Sequence, residues 1–326
     1  MLHVIAASLL LAFAPSQRSD ELAAPPTMSH PVDLGEVIVD GRRIDDLADH
    51  FVSEVAAPSQ RRGLARWRGG VCVGVANLRA DVAQYITDRV SEVARDLGLA
   101  AGAPGCHPSI IVVAVSDANR FTPLFVNMRP ALFRTGGSGM DRGSGALEAF
   151  KTNDQAVRWW TVSAPVDSDT LEIATRLPGM VRGNGVSAGA GGSGPLAYAP
   201  ILQRRGVSRL SSQVVDDTKR VFVILDVDKT RDVSLTQLAD YISLVSLAQI
   251  DPEADTSAYN TVLNLFNGAP SAAPAGLTDW DTAYLNGLYD AVRTRQNRRS
   301  SALEVVTSIV KAHEKLVGQA GRPSSP

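Results

Sequence analysis

The residues best suited to chemistry lie at the end of the apolar run Val221-Phe-Val-Ile-Leu, where the chain reads Asp226-x-Asp228-x-Thr230. Carboxylates two apart at a strand tip can hold a divalent cation, and with Asp232 they approach the spacing of a calcium loop. Such a loop needs Gly at its sixth position and a bidentate Glu at its twelfth, where this chain has Arg231 and Gln237. Calcium is not expected. Gly189, Gly191 and Gly194 spell G-x-G-x-x-G, but no strand precedes them and Pro195 follows, so a dinucleotide site is rejected. His3, His30, His50, His107 and His313 are scattered, and no helix offers two imidazoles at i and i+4 beside a Glu, as a zinc peptidase requires. No G-x-S-x-G nominates a serine nucleophile. The expected metal and cofactor sets are therefore empty. Arg158-Trp159-Trp160 in a strand sends its indoles to opposite faces; the core is the expected place for both, and stacking of one on a cell-wall sugar is the alternative.

The elements that must position these residues follow from periodicity. Val71–Ala76 and Ile110–Val115 read as strands, with an amphipathic helix between them on which Val82, Ile86, Val90, Val93 and Leu97 share a face. A strand–helix–strand crossover makes the strands parallel and brings their starting ends to one edge. Cys72 and Cys106 sit at those ends and are the only cysteines, so one disulfide is expected. Asp45–Val55 reads as a helix, Glu36–Asp40 as a short strand, and residues 119–150 as helices around a Gly/Ser loop. Val157–Ala164 and Leu171–Arg176 read as strands, followed by a Gly-rich insertion at 178–197 with seven glycines in twenty residues. Val207–Val215 and Val221–Val227 are expected as two strands around a turn at Asp216-Asp-Thr-Lys219. Ser234-x-x-Gln237 is a capping box opening a helix to about Ile250, apolar on nearly every face and so central and buried. Thr278 and Asp281 open another helix, and Arg299–Val317 closes the chain with Leu303, Val306, Ile309, Val310 and Leu316 facing in.

Residues 1–16 fit a signal peptide: the apolar run Val4–Ala14 is too short to span a bilayer but suits an h-region, and Ala14 lies three positions before a cut after Ser16. A loose leader over 17–34 follows. A single α+β domain is expected over 35–292, with a mixed sheet, a buried central helix and a helical C-terminal part, then a helix over 293–317 and a disordered tail over 318–326. No later stretch is long and apolar enough for a membrane span. Lys plus Arg number 32 against 34 Asp plus Glu, a formal charge of −2, which supplies no basic field for nucleic acid. The expected compartment is periplasmic or secreted.

Two resemblances add to this. The strand ending in Asp226-x-Asp228-x-Thr230 resembles the nucleophile motif of haloacid-dehalogenase phosphatases, which implies Asp226 as the carboxylate that attacks phosphorus and Asp228 as acid and base beside magnesium. It covers Val221–Thr230 only; the family's further parallel strands, Lys and acidic pair have no counterparts, and a solvated strand end is the competing interpretation. Separately, Leu238-Ala-Asp-Tyr-Ile-Ser-Leu-Val-Ser-Leu-Ala248 and Gly276-Leu-Thr-Asp-Trp-Asp-Thr-Ala-Tyr-Leu-Asn-Gly-Leu-Tyr289 resemble uncharacterised exported proteins of Gram-negative bacteria, which look similar to a zincin metalloprotease scaffold without its H-E-x-x-H. In a zincin the central helix carries the metal-binding histidines. Here the matching helix offers Asp240, Tyr241, Ser243 and Gln249. The resemblance implies this architecture and an exported location; the expected function is a non-catalytic exported module, binding or envelope-associated, whose partner is an envelope component or a peptide or glycan ligand. A hydrolase, either a divergent metallopeptidase or the Asp226/Asp228 phosphatase, is the alternative.

Overall fold

The computed structural model describes residues 43–59, 62–133, 142–171, 212–268, 272–293 and 298–320. The expected signal peptide, leader, Glu36–Asp40 strand, Gly-rich insertion, all but Leu171 of the Leu171–Arg176 strand, residues 207–211 of the Val207–Val215 strand and residues 321–326 of the tail lie outside the described residues.

Helix α1 (Ile44–Val55) precedes strands β1 (Gly70–Val71) and β2 (Val73–Ala76), helix α2 (Ala80–Asp96), and strands β3 (Ala100–Ala101) and β4 (Ile110–Val115). Helices α3 (Ala118–Met128) and α4 (Ser144–Thr152) lead to the long strands β5 (Val157–Asp167) and β6 (Val214–Asp226), and helices α5 (Leu235–Leu247), α6 (Asp279–Asp290) and α7 (Arg298–Ala320) complete the order. The main sheet runs β2-β4-β6-β5, with β2, β4 and β6 parallel and β5 antiparallel along β6. The fold is mixed α+β, as expected. Sheet residues alternate between two cores. Ile110, Val112, Trp159, Val221 and Val223 face α1, α2, α5, α6 and α7, whereas Val113, Trp160, Phe222 and Ile224 face α3, α4 and Phe133. A sheet buried on both faces explains why β4 and β6 read as unbroken apolar runs.

Four expectations need correction. The apolar run from Val71 breaks at Cys72: Gly70–Val71 pairs with Ala100–Ala101 in a separate parallel ribbon, and only Val73–Ala76 joins the main sheet. The two strands expected around Asp216–Lys219 are one, because Asp216 and Asp217 are buried against arginines instead of turning into solvent, and Lys219 is absorbed as an unopposed residue where β5 and β6 shift register. On α7, Val306, Ile309 and Val310 are buried and Leu316 is partly so, but Leu303 is 60% exposed. The helix also continues to Ala320, into the stretch expected as tail.

Both capping boxes form. Ser234 accepts from Gln237 N while the Gln237 side chain accepts from Ser234 N, and Thr278 and Asp281 do the same for α6. Residues 237–247 of α5 are all buried. Helix α7 packs on α1 and crosses α6 at Gly287, where an added Cβ would overlap the backbone N and Cα of Ile309. Gly287→Ala is accordingly expected to destabilise by about 1–3 kcal/mol in urea unfolding, although Ala is the better helix former. An unchanged midpoint would mean the two helices are not held at this separation.

Candidate functional site

A cleft of about 440 Å³ opens where four pieces of chain meet: residues 154–159 leading into β5, the turn 229–233 after β6, Tyr241 of α5, and the irregular segment 250–268. Each wall has its own anchor. The Trp159 indole donates to Ile250 O at 3.0 Å, and Gln155 Nε2 donates to Pro252 O at 2.5 Å, pinning the segment to the edge strand. Asn264 Nδ2 donates to Thr256 O and Tyr259 O, and Val262 N and Thr261 Oγ1 donate to the Asp281 carboxylate, which fixes the 3-10 turn Val262–Phe266. Burial pushes the Asp281 carboxyl above the usual range, opposed by its four hydrogen bonds. The rim carries Asp232 and an ion pair between Lys229 and Asp154.

Tyr241 is the residue of the central helix that reaches this cleft. Its ring meets Trp159 edge-on at 5.9 Å and Phe266 at 5.2 Å, and it is only 6% exposed. The residue lines the cleft, and its hydroxyl makes no hydrogen bond to another described residue. Three other polar residues in or just after the helix are committed to the fold, whereas the buried Ser246 hydroxyl has no partner among the described residues. Asp240 accepts from Arg89 of α2 and from Leu277 N at 2.8 Å, Ser243 donates to Ala239 O at 2.8 Å, and the Gln249 carbonyl accepts from Ala65 N at 2.9 Å.

Asp226 and Asp228 part company. Asp226 is 4% exposed, and its carboxylate accepts from three backbone N–H groups, those of Ala118, Asp228 and Lys229. It is a buried turn anchor, where the sequence suggested a solvated strand end. Asp228 is half-exposed and pairs with Arg231. Both indoles are core: Trp159 is fixed by Ile250 O and Trp160 by Phe133 O, so neither presents a face for sugar stacking. His50 bonds the Tyr259 hydroxyl and His313 lies edge-on to Trp280, while His3 and His30 lie outside the described residues. Among the described residues no three His, Cys, Asp or Glu side chains converge as a metal site would require. Cys72 and Cys106 are bonded, with Cα atoms 6.1 Å apart. No helix among the described residues is long and apolar enough to cross a membrane.

Comparison with protein-family models, curated proteins and solved structures finds no match. The site rests on its own geometry. Sequence reasoning named Tyr241 only as a replacement for a histidine and missed the 250–268 wall, whose clue was the Thr256 to Asn264 stretch of polar side chains able to bond backbone in an aperiodic segment.

Burial raises the phenol pKa of Tyr241, Tyr284 and Tyr289. A folded-state value above the unfolded one near pH ~10 means that these groups contribute stability fully below that pH and lose it as pH rises further. Desolvated Arg62 and Arg66, each lowered to about 10, act in the opposite direction, so phenolate absorbance is the cleaner readout. The native chain, with six tyrosines, should fall short of six phenolates at about pH 11 and reach them only on unfolding. Complete native titration with one ordinary midpoint would contradict the burial.

Proposed function

We propose that this chain is a non-catalytic exported binding module on a zincin-like scaffold, and that its cleft takes an apolar side chain of a peptide-type ligand whose carbonyl accepts a hydrogen bond from Tyr241. The observation that carries this is the Tyr241 phenol: its ring is almost wholly buried, it is uncommitted within the described fold, and it lines a cleft of mixed polar and apolar surface. A ligand carbonyl that accepts from this phenol adds a hydrogen bond worth about 0.5–1.5 kcal/mol. A glycan is disfavoured, because the neighbouring indoles offer no exposed face for stacking. The scaffold assignment is supported by a mixed sheet with an antiparallel edge strand, followed by the buried central helix α5 and the helical end α6 and α7. Export is supported by the Cys72–Cys106 pair and the apolar run near the N-terminus. Mass spectrometry of protein from its native cells tests it, with no alkylatable thiol expected and two free thiols contradicting it.

The binding test uses N-acetyl-leucine N-methylamide, the smallest peptide unit carrying an apolar side chain. Tyr241→Phe keeps the ring and removes the hydroxyl, so it should leave stability near wild type and weaken the probe about three- to tenfold. Equal affinity in both proteins would remove Tyr241 from the site. Metal analysis tests the hydrolase alternative. One tightly bound zinc per chain, or magnesium-dependent phosphate-ester hydrolysis that vanishes in Asp226→Asn, would replace the binding function by catalysis. The existing use of both Asp226 oxygens by backbone donors favours binding.

A further inference from the structure

Away from the cleft, the two most exposed large apolar side chains among the described residues are Met128 at 74% and Leu124 at 61%, one turn apart on α3. The opposite face of the same helix, with Ala118, Thr122 and Val126, is buried against the sheet, so burial in the core does not account for the outer pair. Just past the helix, Leu132 is 38% exposed. Beyond the N-cap Asp117, whose exposed carboxylate accepts from Arg120 N, the charge is basic. From Ala118 to Met140 the chain has no Asp or Glu but carries Arg120, Arg129 and Arg134, in a protein whose acids otherwise outnumber its bases. Arg120 and Arg129 are exposed, and neither forms an ion pair with another described residue.

We propose that α3 docks on an anionic lipid surface, with Leu124 and Met128 entering the acyl boundary and Arg120 and Arg129 reaching the headgroup phosphates. An amphipathic helix with apolar side chains beside guanidinium groups has the chemistry of an interfacial contact, and guanidinium matches phosphate geometry. A second copy of the chain is the weaker occupant, because a two-fold contact would set Arg120 and Arg129 of one copy against those of the other. Two inserted side chains and two arginines give weak, reversible attachment, with each arginine favouring the anionic surface about fivefold. The inference is independent of what enters the Tyr241 cleft, which lies on other elements.

Sedimentation with vesicles of phosphatidylcholine alone, and of phosphatidylcholine mixed with phosphatidylglycerol, tests it on the full chain. Wild type should favour the phosphatidylglycerol vesicles and lose that preference in high salt. Arg120→Gln with Arg129→Gln should reduce the preference about 25-fold, and Leu124→Ser with Met128→Ser should weaken binding at least about tenfold. All four positions are exposed, so an unchanged melting temperature verifies that each variant folds. Equal binding of wild type to both vesicle types would overturn the proposal. So would variants that bind like wild type. A dimer of wild type, formed without lipid and lost in Leu124→Ser/Met128→Ser, would reassign the face to self-association.

Discussion

Asp217→Ala should destabilise the fold by about 3–5 kcal/mol, the range for removing one partner from a buried charge cluster. The reason is an imbalance of charge. Arg62, Arg66, Arg68 and Arg293 converge on the β6 segment that holds Asp216 and Asp217. Asp217 alone takes Arg68 Nε at 3.0 Å and Arg293 at 2.6 Å, while Arg62 is held by Asp216. Arg66 has no carboxylate and donates instead to Leu288 O and Ala291 O, closing the C-terminus of α6. Removal of Asp217 leaves four guanidinium groups around one acid, three of them already desolvated enough to lower their pKa. Asp217→Asn retains one acceptor and should cost less. Urea unfolding of both variants checks the order, and a loss below about 1 kcal/mol for Asp217→Ala would mean that solvent screens the cluster as it does surface pairs.

Loss of the disulfide should cost nearly as much. Cys72 and Cys106 are separated by 34 positions, and in the chain-entropy model a loop of that length is worth about 3–4 kcal/mol. The bond lies where the chain has little other support: Cys72 is the break between β1 and β2, and the connection from β3 to β4 is held near it by Gly102 N to Val71 O and Ser109 N to Cys72 O. Gly102 is required at this point, since a Cβ there would overlap Cys106 Sγ. Cys72→Ser with Cys106→Ser should therefore lower stability without changing the far side of the sheet, as read by urea unfolding together with hydrogen exchange in β5 and β6. A double variant as stable as wild type would show that the loop is already ordered by its backbone bonds.

The legible part of the fold was the part with local cause. The face of α2, the all-round apolar α5 and the two capping boxes are set by residues within a few positions of one another, and the disulfide followed from a parallel crossover. Asp216-Asp-Thr-Lys219 misled because four polar residues ordinarily bend into solvent, and the arginines that keep them extended come from positions 62–68 and 293. Leu303 misled because the helical period does not reveal where a neighbouring helix ends. The cleft was the least legible feature. Trp159, Tyr241 and Phe266 meet only through the tertiary fold, and whether a tyrosine hydroxyl is left unpartnered is decided by every wall around it.

The most direct measurement is a heteronuclear NMR titration of wild type with N-acetyl-leucine N-methylamide, followed at the four indole N–H resonances, Trp67, Trp159, Trp160 and Trp280. Trp159 lines the cleft and touches Tyr241, whereas Trp67 donates to Ser246 O in the core. A side chain seated in the cleft should shift the Trp159 resonance, leave Trp67 in place, and do so more weakly in Tyr241→Phe. Shifts confined to the Asp226–Arg231 turn, or an unmoved Trp159 at saturating probe, would contradict a binding function for this cleft.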